Sequence, residues 1–235
     1  MSIINRKHFA CYYIFMICTL EDLRDAINEY GFLPFFRSVI PGLSLEEMVD
    51  RSIWFPPDGM GVWDWKTDAI EMTGGTYGKF FCRAPGFVSA EMMAPLLAYR
   101  RDGYDFEGFS NDGHAKRNEI RVYSILEETG SETSTFLKAK SNMSESSFNE
   151  AITGLQMKGF VVISGFDYRL TKDGRKYGWG ISRYAIPEAV FGEELERNID
   201  EYTPEDALSL MKDHLRKHFP GADERSIDLF LTVRK

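Results

Sequence analysis

ESSFNEAITGLQMKGFVVISGFDYRLTKDGRKYGWGISRYAIP, residues 145–187, carries a helical period followed by a strand period. Phe148, Ala151, Ile152 and Leu155 recur at the spacing of one helix face, Ser144 stands in front of them as a cap, and Gly159 closes the run. Phe160-Val161-Val162-Ile163 then reads as a strand. Phe166, Tyr168 and Leu170 alternate, Lys172-Asp173-Gly174 makes a tight turn, and Tyr177, Trp179 and Ile181 alternate on the return. Working backwards, a helix spans about Lys116 to Glu128 with Val122, Ile125 and Leu126 inward, and Gly130 stops it. A second, short helix runs from Glu132 to Lys140 with Phe136 and Leu137 as its core pair. The order helix, helix, helix, strand, turn, strand predicts a winged helix-turn-helix over residues 115–187, within a domain of 113–190.

On the outer face of the third helix, Asn149, Thr153 and Gln156 stand at i, i+4 and i+7. Uncharged side chains that both donate and accept hydrogen bonds suit base edges in the major groove. Arg169, Lys172, Arg175 and Lys176 flank the hairpin turn, where a wing meets phosphates. These seven residues form the expected DNA-binding set. The competing reading is a protein-interaction winged helix, because the third helix also carries Glu145 and Glu150 with Lys158 as its single base.

The chain ahead of this module has a different texture. Thr19-Leu20-Glu21-Asp22 opens a helix that buries Leu23, Ala26, Ile27 and Tyr30 and stops at Gly31. Ser44-Leu45-Glu46-Glu47 opens a second, short helix. Residues 53–88 are rich in Trp, Phe, Gly and Pro and read as strands and ordered loops. Ser89 caps a helix reaching Arg101, with Pro95 delaying its regular part, and residues 102–112 read as a linker. Trp63, Asp64, Trp65, Glu71 and Lys79 form a candidate pocket. A carboxylate among aromatic rings can acquire the raised pKa of a general acid, and the tryptophans can stack bases. The plainer alternatives are an ion pair from Asp64 to Lys66, Arg100 or Arg101, and tryptophans buried in a small core. Gly74-Gly75-Thr76-Tyr77-Gly78-Lys79 fails as a phosphate loop because Phe80 occupies the hydroxyl position.

At 235 residues with 43% hydrophobic content the chain can bury a core without disulfide or metal support. Three cysteines without CxxC pairing fit a reducing, cytoplasmic setting. His214 and His218 stand at i, i+4 but lack the Glu of a zincin helix, so no metal and no cofactor are expected. A net charge of -8 excludes a general affinity for polyanions. The charge is uneven: residues 115–183 hold 11 Lys/Arg against 8 Asp/Glu, leaving -11 on the rest. The apolar run at 9–18 is too short to span a membrane, and reads either as a buried first strand or, as favoured here, as part of an extension over 1–15 ahead of Met16. Near the C-terminus, Thr203-Pro204-Glu205-Asp206 opens one helix and a final helix carries Ile227 and Phe230.

The string WFPPDGMGVWDWK (54–66), YGKFF (77–81), Tyr99-Arg100-Arg101 and YGWGISRY (177–184) resemble a group of bacterial AlkZ-related proteins. AlkZ-type proteins are DNA glycosylases built from tandem winged helices that act on alkylated or crosslinked bases. The resemblance implies duplex DNA as partner. Those enzymes hold the attacking water with a Gln-x-Gln or Gln-x-Asp motif; this chain has one glutamine, Gln156, followed two positions on by Lys158. No catalytic residue is carried over.

The sequence thus predicts an α+β protein: a mixed aromatic-rich domain (16–112), a winged-helix domain (113–190) and a short helical tail (191–235) that packs back. Its expected function is DNA binding, regulatory or as a non-catalytic relative of repair glycosylases. Two alternatives stay open: a base-excising enzyme that uses the aromatic region, and a winged helix that meets a protein.

Overall fold

The computed structural model describes residues 6–9, 12–56, 61–174 and 176–232, the side chains of 6–9, 12–15, 176 and 177 excepted. Strands β1 (Arg6–Phe9) and β2 (Tyr12–Phe15) pair with each other and take no place in the main sheet. The helix read at Thr19 forms as α1 (Leu20–Tyr30). Thr19 accepts from the Asp22 backbone N–H and Asp22 Oδ2 accepts from the Thr19 backbone N–H, which satisfies two of the helix's orphan donors.

The main sheet has six strands in the order β3-β5-β4-β7-β8-β6, all paired antiparallel. Its first half comes from β3 (Phe32–Pro34), β4 (Thr76–Phe81) and β5 (Ala84–Val88). Short helices α2 (Leu45–Met48) and α3 (Arg51–Trp54) and the longer α4 (Lys66–Thr73) lie between β3 and β4. Helix α5 (Ala90–Arg101) follows directly on β5. Pro95 does not delay it: Ser89 caps the helix and the chain runs helical through the proline, which gives up one backbone hydrogen bond. The Arg100 guanidinium is buried at the end of α5 and donates to the carbonyls of Met157 (2.8 Å) and Phe80 (3.1 Å), while its Nε has no partner. Burial pushes its pKa down to about 10.

The stretch read as a linker contains α6 (Phe106–Asn111), capped by Asp105. Phe106 is buried and stacks on Tyr123 with ring centroids 3.7 Å apart, so this segment is packed structure. Beyond it come α7 (Arg117–Thr129), β6 (Ser131–Thr133), α8 (Ser134–Ser141), α9 (Glu145–Met157), β7 (Val162–Leu170) and β8 (Lys176–Ala185). Strand β6 corrects the expectation of a helix from Glu132, because residues 131–133 pair with 183–185 of β8 and Thr133 caps α8. Leu137 is fully buried in α8, but Phe136 is 42% exposed and is no core partner.

Strands β4 and β7 meet at Tyr77 and Ile163, and the Thr76 hydroxyl donates to the Ile163 carbonyl at 3.0 Å. This seam joins the two segments separated at 112/113 into one sheet over one apolar core, which runs from Ile17 to Leu231. The C-terminal region holds three helices. Helix α10 (Pro187–Asp200) escapes the sequence reading because Gly192, at φ 72°, breaks it into two pieces and interrupts the apolar period. It docks on α5 through Leu195 against Met93, Ala94 and Leu97. Helices α11 (Pro204–His218) and α12 (Glu224–Leu231) pack back on the first segment, with Phe230 stacked on Phe81 at 4.7 Å. No helix among the described residues is long and apolar enough to cross a membrane.

Candidate nucleic-acid interface

Helix α9 forms where its pattern places it, capped by Ser144. The structure separates the three polar residues of its outer face. Asn149 is exposed, but Thr153 is 2% exposed and Gln156 fully buried, because β4 lies across the C-terminal half of the helix. The Gln156 carboxamide oxygen accepts from the Lys79 backbone N–H at 3.0 Å and its nitrogen donates to the Ile152 carbonyl at 3.0 Å. Gly78 makes this approach possible, since a Cβ there would press on the Phe80 ring and the Gln156 oxygen. Thr153 lies 3.5 Å from Lys79 Nζ. The expectation that all three read bases is therefore corrected: Thr153 and Gln156 are occupied under a strand. The exposed first turns of α9 are polar and acidic. Glu150 pairs with Arg83 (2.5 Å) and Lys116 (3.4 Å), and Glu145 with Lys138 (2.9 Å). Arg83 and then Lys116 hold the Glu150 carboxyl below its usual range. An open cleft of about 360 Å³ beside this network is lined by the starts of α7 and α9.

The hairpin of β7 and β8 carries two of the expected cations outward among the described residues. Arg169 and Lys172 are exposed; Arg175 and the Lys176 side chain lie outside the described residues, although the Lys176 backbone pairs with Leu170. Arg183 and Asp167 form an ion pair across the hairpin at 2.5 Å.

The five candidate pocket residues are also divided. Trp63 and Asp64 line a cleft of about 290 Å³ with Phe55, Gly178, Trp179 and Gly180. Trp65 sits half-buried at the start of α4, Glu71 faces solvent from α4, and Lys79 lies on β4 beside Thr153. Trp179 is 71% and Phe55 66% exposed. Trp63 meets Trp179 edge-on at 5.7 Å, and the Phe55 and Trp63 rings lie 6.3 Å apart at 35°. Gly180 lets Phe166 and Tyr168 pack close to the β8 backbone, because a Cβ there would collide with both. Asp64 is held by a turn in which its Oδ2 accepts from the Gly61 N–H at 3.3 Å. Of the partners considered for it, Arg101 pairs with Glu188 and Arg100 donates to two carbonyls, while Lys66 feels the Asp64 charge.

Sequence reasoning missed the part that Lys66 plays. This residue is buried, with Nζ 3.9 Å from the Trp63 ring centroid, 4.9 Å from Phe166 and 5.5 Å from Phe35. Burial pushes the ammonium down to about 8 against the upward pull of Asp64. Burial also raises the Tyr168 hydroxyl, helped by Asp64 and Asp68. The alternation of 166, 168 and 170 against 177, 179 and 181 was the available signal, but joining that face to Trp63 needs the β4–β7 seam.

Residues 17–232 match the AlkZ-related family. The chain belongs to that family. No curated protein and no solved structure matches it. In this AlkZ-related protein the single glutamine is thus an internal strut between α9 and β4, with both ends of its carboxamide bonded within the protein. Among the described residues no group of three or more His, Cys, Asp or Glu is placed to hold a metal ion. His214 and His218 lie on α11 with ring centroids 4.6 Å apart at a tilt of 38°, and His218 also meets Tyr30, at the end of α1, edge-on.

Proposed function

We propose that this AlkZ-related protein is a winged-helix protein that binds duplex DNA through the hairpin of β7 and β8 and does not excise bases. The order α7, β6, α8, α9, β7, β8, with β8 paired to both β6 and β7, supports the winged-helix reading, in which the hairpin is the wing. The observation that carries the reading is the outward placement of Arg169 and Lys172 on that hairpin, in a chain of net charge -8. Membership of the family supports DNA as the partner class. The middle of α9 takes no part in base readout, since Thr153 and Gln156 are buried there. Asn149 is the one residue of that face left for a groove contact. The single glutamine, bonded internally, supports a non-catalytic role.

Binding of a random duplex across a salt series tests the proposal. Changing Lys172, Arg175 and Lys176 together to Glu weakens binding to every sequence and flattens the dependence of log K on log salt by about 0.9 for each lost phosphate contact. Absence of duplex binding at low salt, or an unchanged slope in the triple variant, rejects it. A winged helix that meets a protein partner is then the better reading, favoured by the acidic, ion-paired start of α9.

A further inference from the structure

We infer that the aromatic patch around Trp179 is an interface between two copies of this chain, each laying its Trp179 indole over the Phe55–Trp63 cleft of the other about a two-fold axis. The inference goes beyond the nucleic-acid reading and does not rest on it. Trp179 and Phe55 stand mostly in water and Phe36 is 42% exposed. Ring contacts tie them into one surface: Trp63 meets Trp179 at 5.7 Å and Phe55 at 6.3 Å, Trp63 and Trp54 both flank Phe35 at 5.3 Å, and Phe36 stacks on Trp54 at 6.4 Å. At about 150 to 250 Å² for a whole aromatic side chain, Trp179, Phe55 and Phe36 leave roughly 400 Å² of ring surface in water. A patch of this size marks a binding surface. A stable interface buries about 800 Å² on each partner, of which about 450 to 500 Å² is apolar. The three rings supply most of that share, and the half-buried edges of Trp54 and Trp63 add to it.

A second copy fits because the projecting ring and the hollow lie side by side. The cleft of about 290 Å³ has Phe55, Trp63 and Asp64 on one side and Gly178, Trp179 and Gly180 on the other. The two glycines carry no side chain, so Trp179 alone rises from this stretch of β8. A two-fold rotation about an axis beside Trp179 brings each indole over the other copy's cleft, which is the self-complementary contact of an isologous interface. The polar groups match as well: Asp64 Oδ2 takes the Gly61 N–H and leaves Oδ1 to accept, and an indole N–H donates and cannot accept. Tryptophan is enriched among the residues that anchor such interfaces. The net charge of -8 on each chain opposes association, but at physiological ionic strength that repulsion is screened over about 8 Å. At the patch itself the Lys66 ammonium, against the Trp63 ring, offsets the Asp64 carboxylate. Trp179 lies inward of Tyr177, the register partner of Arg169, so the contact leaves the hairpin tip with Lys172 free.

Sedimentation velocity of the full chain without DNA tests this, over about 1 to 100 μM, a range that starts at the weak end for interfaces of this size. The chain is expected to become dimeric within it. Added sodium chloride tightens the dimer, because the contact is apolar and the like net charges are screened, whereas salt weakens duplex binding. Trp179→Ala raises the dissociation constant about thirtyfold or more, the scale of an interface hot spot. The ring is mostly exposed in one copy, so this variant keeps the wild-type far-ultraviolet circular dichroism. Trp179→Phe keeps a ring but loses the N–H and falls between the two. A mixture of wild type and Trp179→Ala forms a heterodimer of intermediate strength, since one of the two symmetric contacts survives. A monomer at every concentration, a dimer that Trp179→Ala does not weaken, or a dimer that salt dissociates overturns the inference. None of these results bears on duplex binding, which the salt series with the Lys172, Arg175 and Lys176 variant decides by itself.

Discussion

Lys66 shows how far one residue's role depends on partners distant in sequence. Its neighbours Trp63 and Asp64 are local, but Phe35 and Phe166 come from the loop after β3 and from β7. With a folded pKa near 8 and an unperturbed value of 10.5, the folded protein releases this proton before the unfolded chain does. Between these values the unfolded state holds more protons, so this group makes stability rise with pH. The wild-type melting temperature is therefore expected to gain on that of Lys66→Met between pH 8 and 9.5, by a free energy of about 1 kcal/mol. A constant difference across that window sinks the assignment. Gln156 makes a second case. Gln156→Ala strands the Lys79 backbone N–H under the sheet and is expected to cost about 1 to 3 kcal/mol of stability, measured by urea denaturation, with DNA sequence preference unchanged. The spacing of Asn149, Thr153 and Gln156 was legible; the cover over two of them was not, because nothing local to α9 announces that β4 crosses it.

At the scale of the element, the parts with strong local chemistry were legible and those with weak chemistry were not. Helices α1, α9 and α11 carry a side-chain cap and a clean apolar stripe, and the sequence places them. Strand β6 is three residues long, and its Ser131-Glu132-Thr133 has no apolar alternation. Helix α6 is a single glycine-containing segment whose order comes from Phe106 and Phe109 packing on Phe160. Local propensity is weak there and tertiary burial decides. Phe106→Ala removes a buried ring that also stacks on Tyr123, and is expected to cost about 3 to 5 kcal/mol in chemical denaturation. A loss below 1 kcal/mol would show that α6 is an ornament on the chain after all.

On the scale of the whole molecule, the decisive feature is the β4–β7 seam, which brings the aromatic cleft and the hairpin together. The charge contrast and the change in texture near residue 112 suggest two independent bodies, and a sheet of six strands running through both contradicts independence in physical terms. Residues 113–190 by themselves would expose the β7 edge that pairs with Tyr77 and the face of α9 that holds Gln156. They would also lose Arg100, which donates to the Met157 carbonyl at the end of α9, and Arg101, which donates to the Gly159 carbonyl. Unpaired strand edges and bare apolar faces promote association. A fragment of residues 113–190 is therefore expected to aggregate or to melt without a cooperative transition, whereas the full chain melts in one step followed identically by far-ultraviolet circular dichroism and by tryptophan emission. Trp54, Trp63 and Trp65 report the first segment and Trp179 the hairpin, so a two-step tryptophan transition in the full chain would show that the seam does not couple the halves. A fragment with its own sharp transition would restore the boundary at 112/113 and make the hairpin's approach to Trp63 a docking event rather than a fixed site.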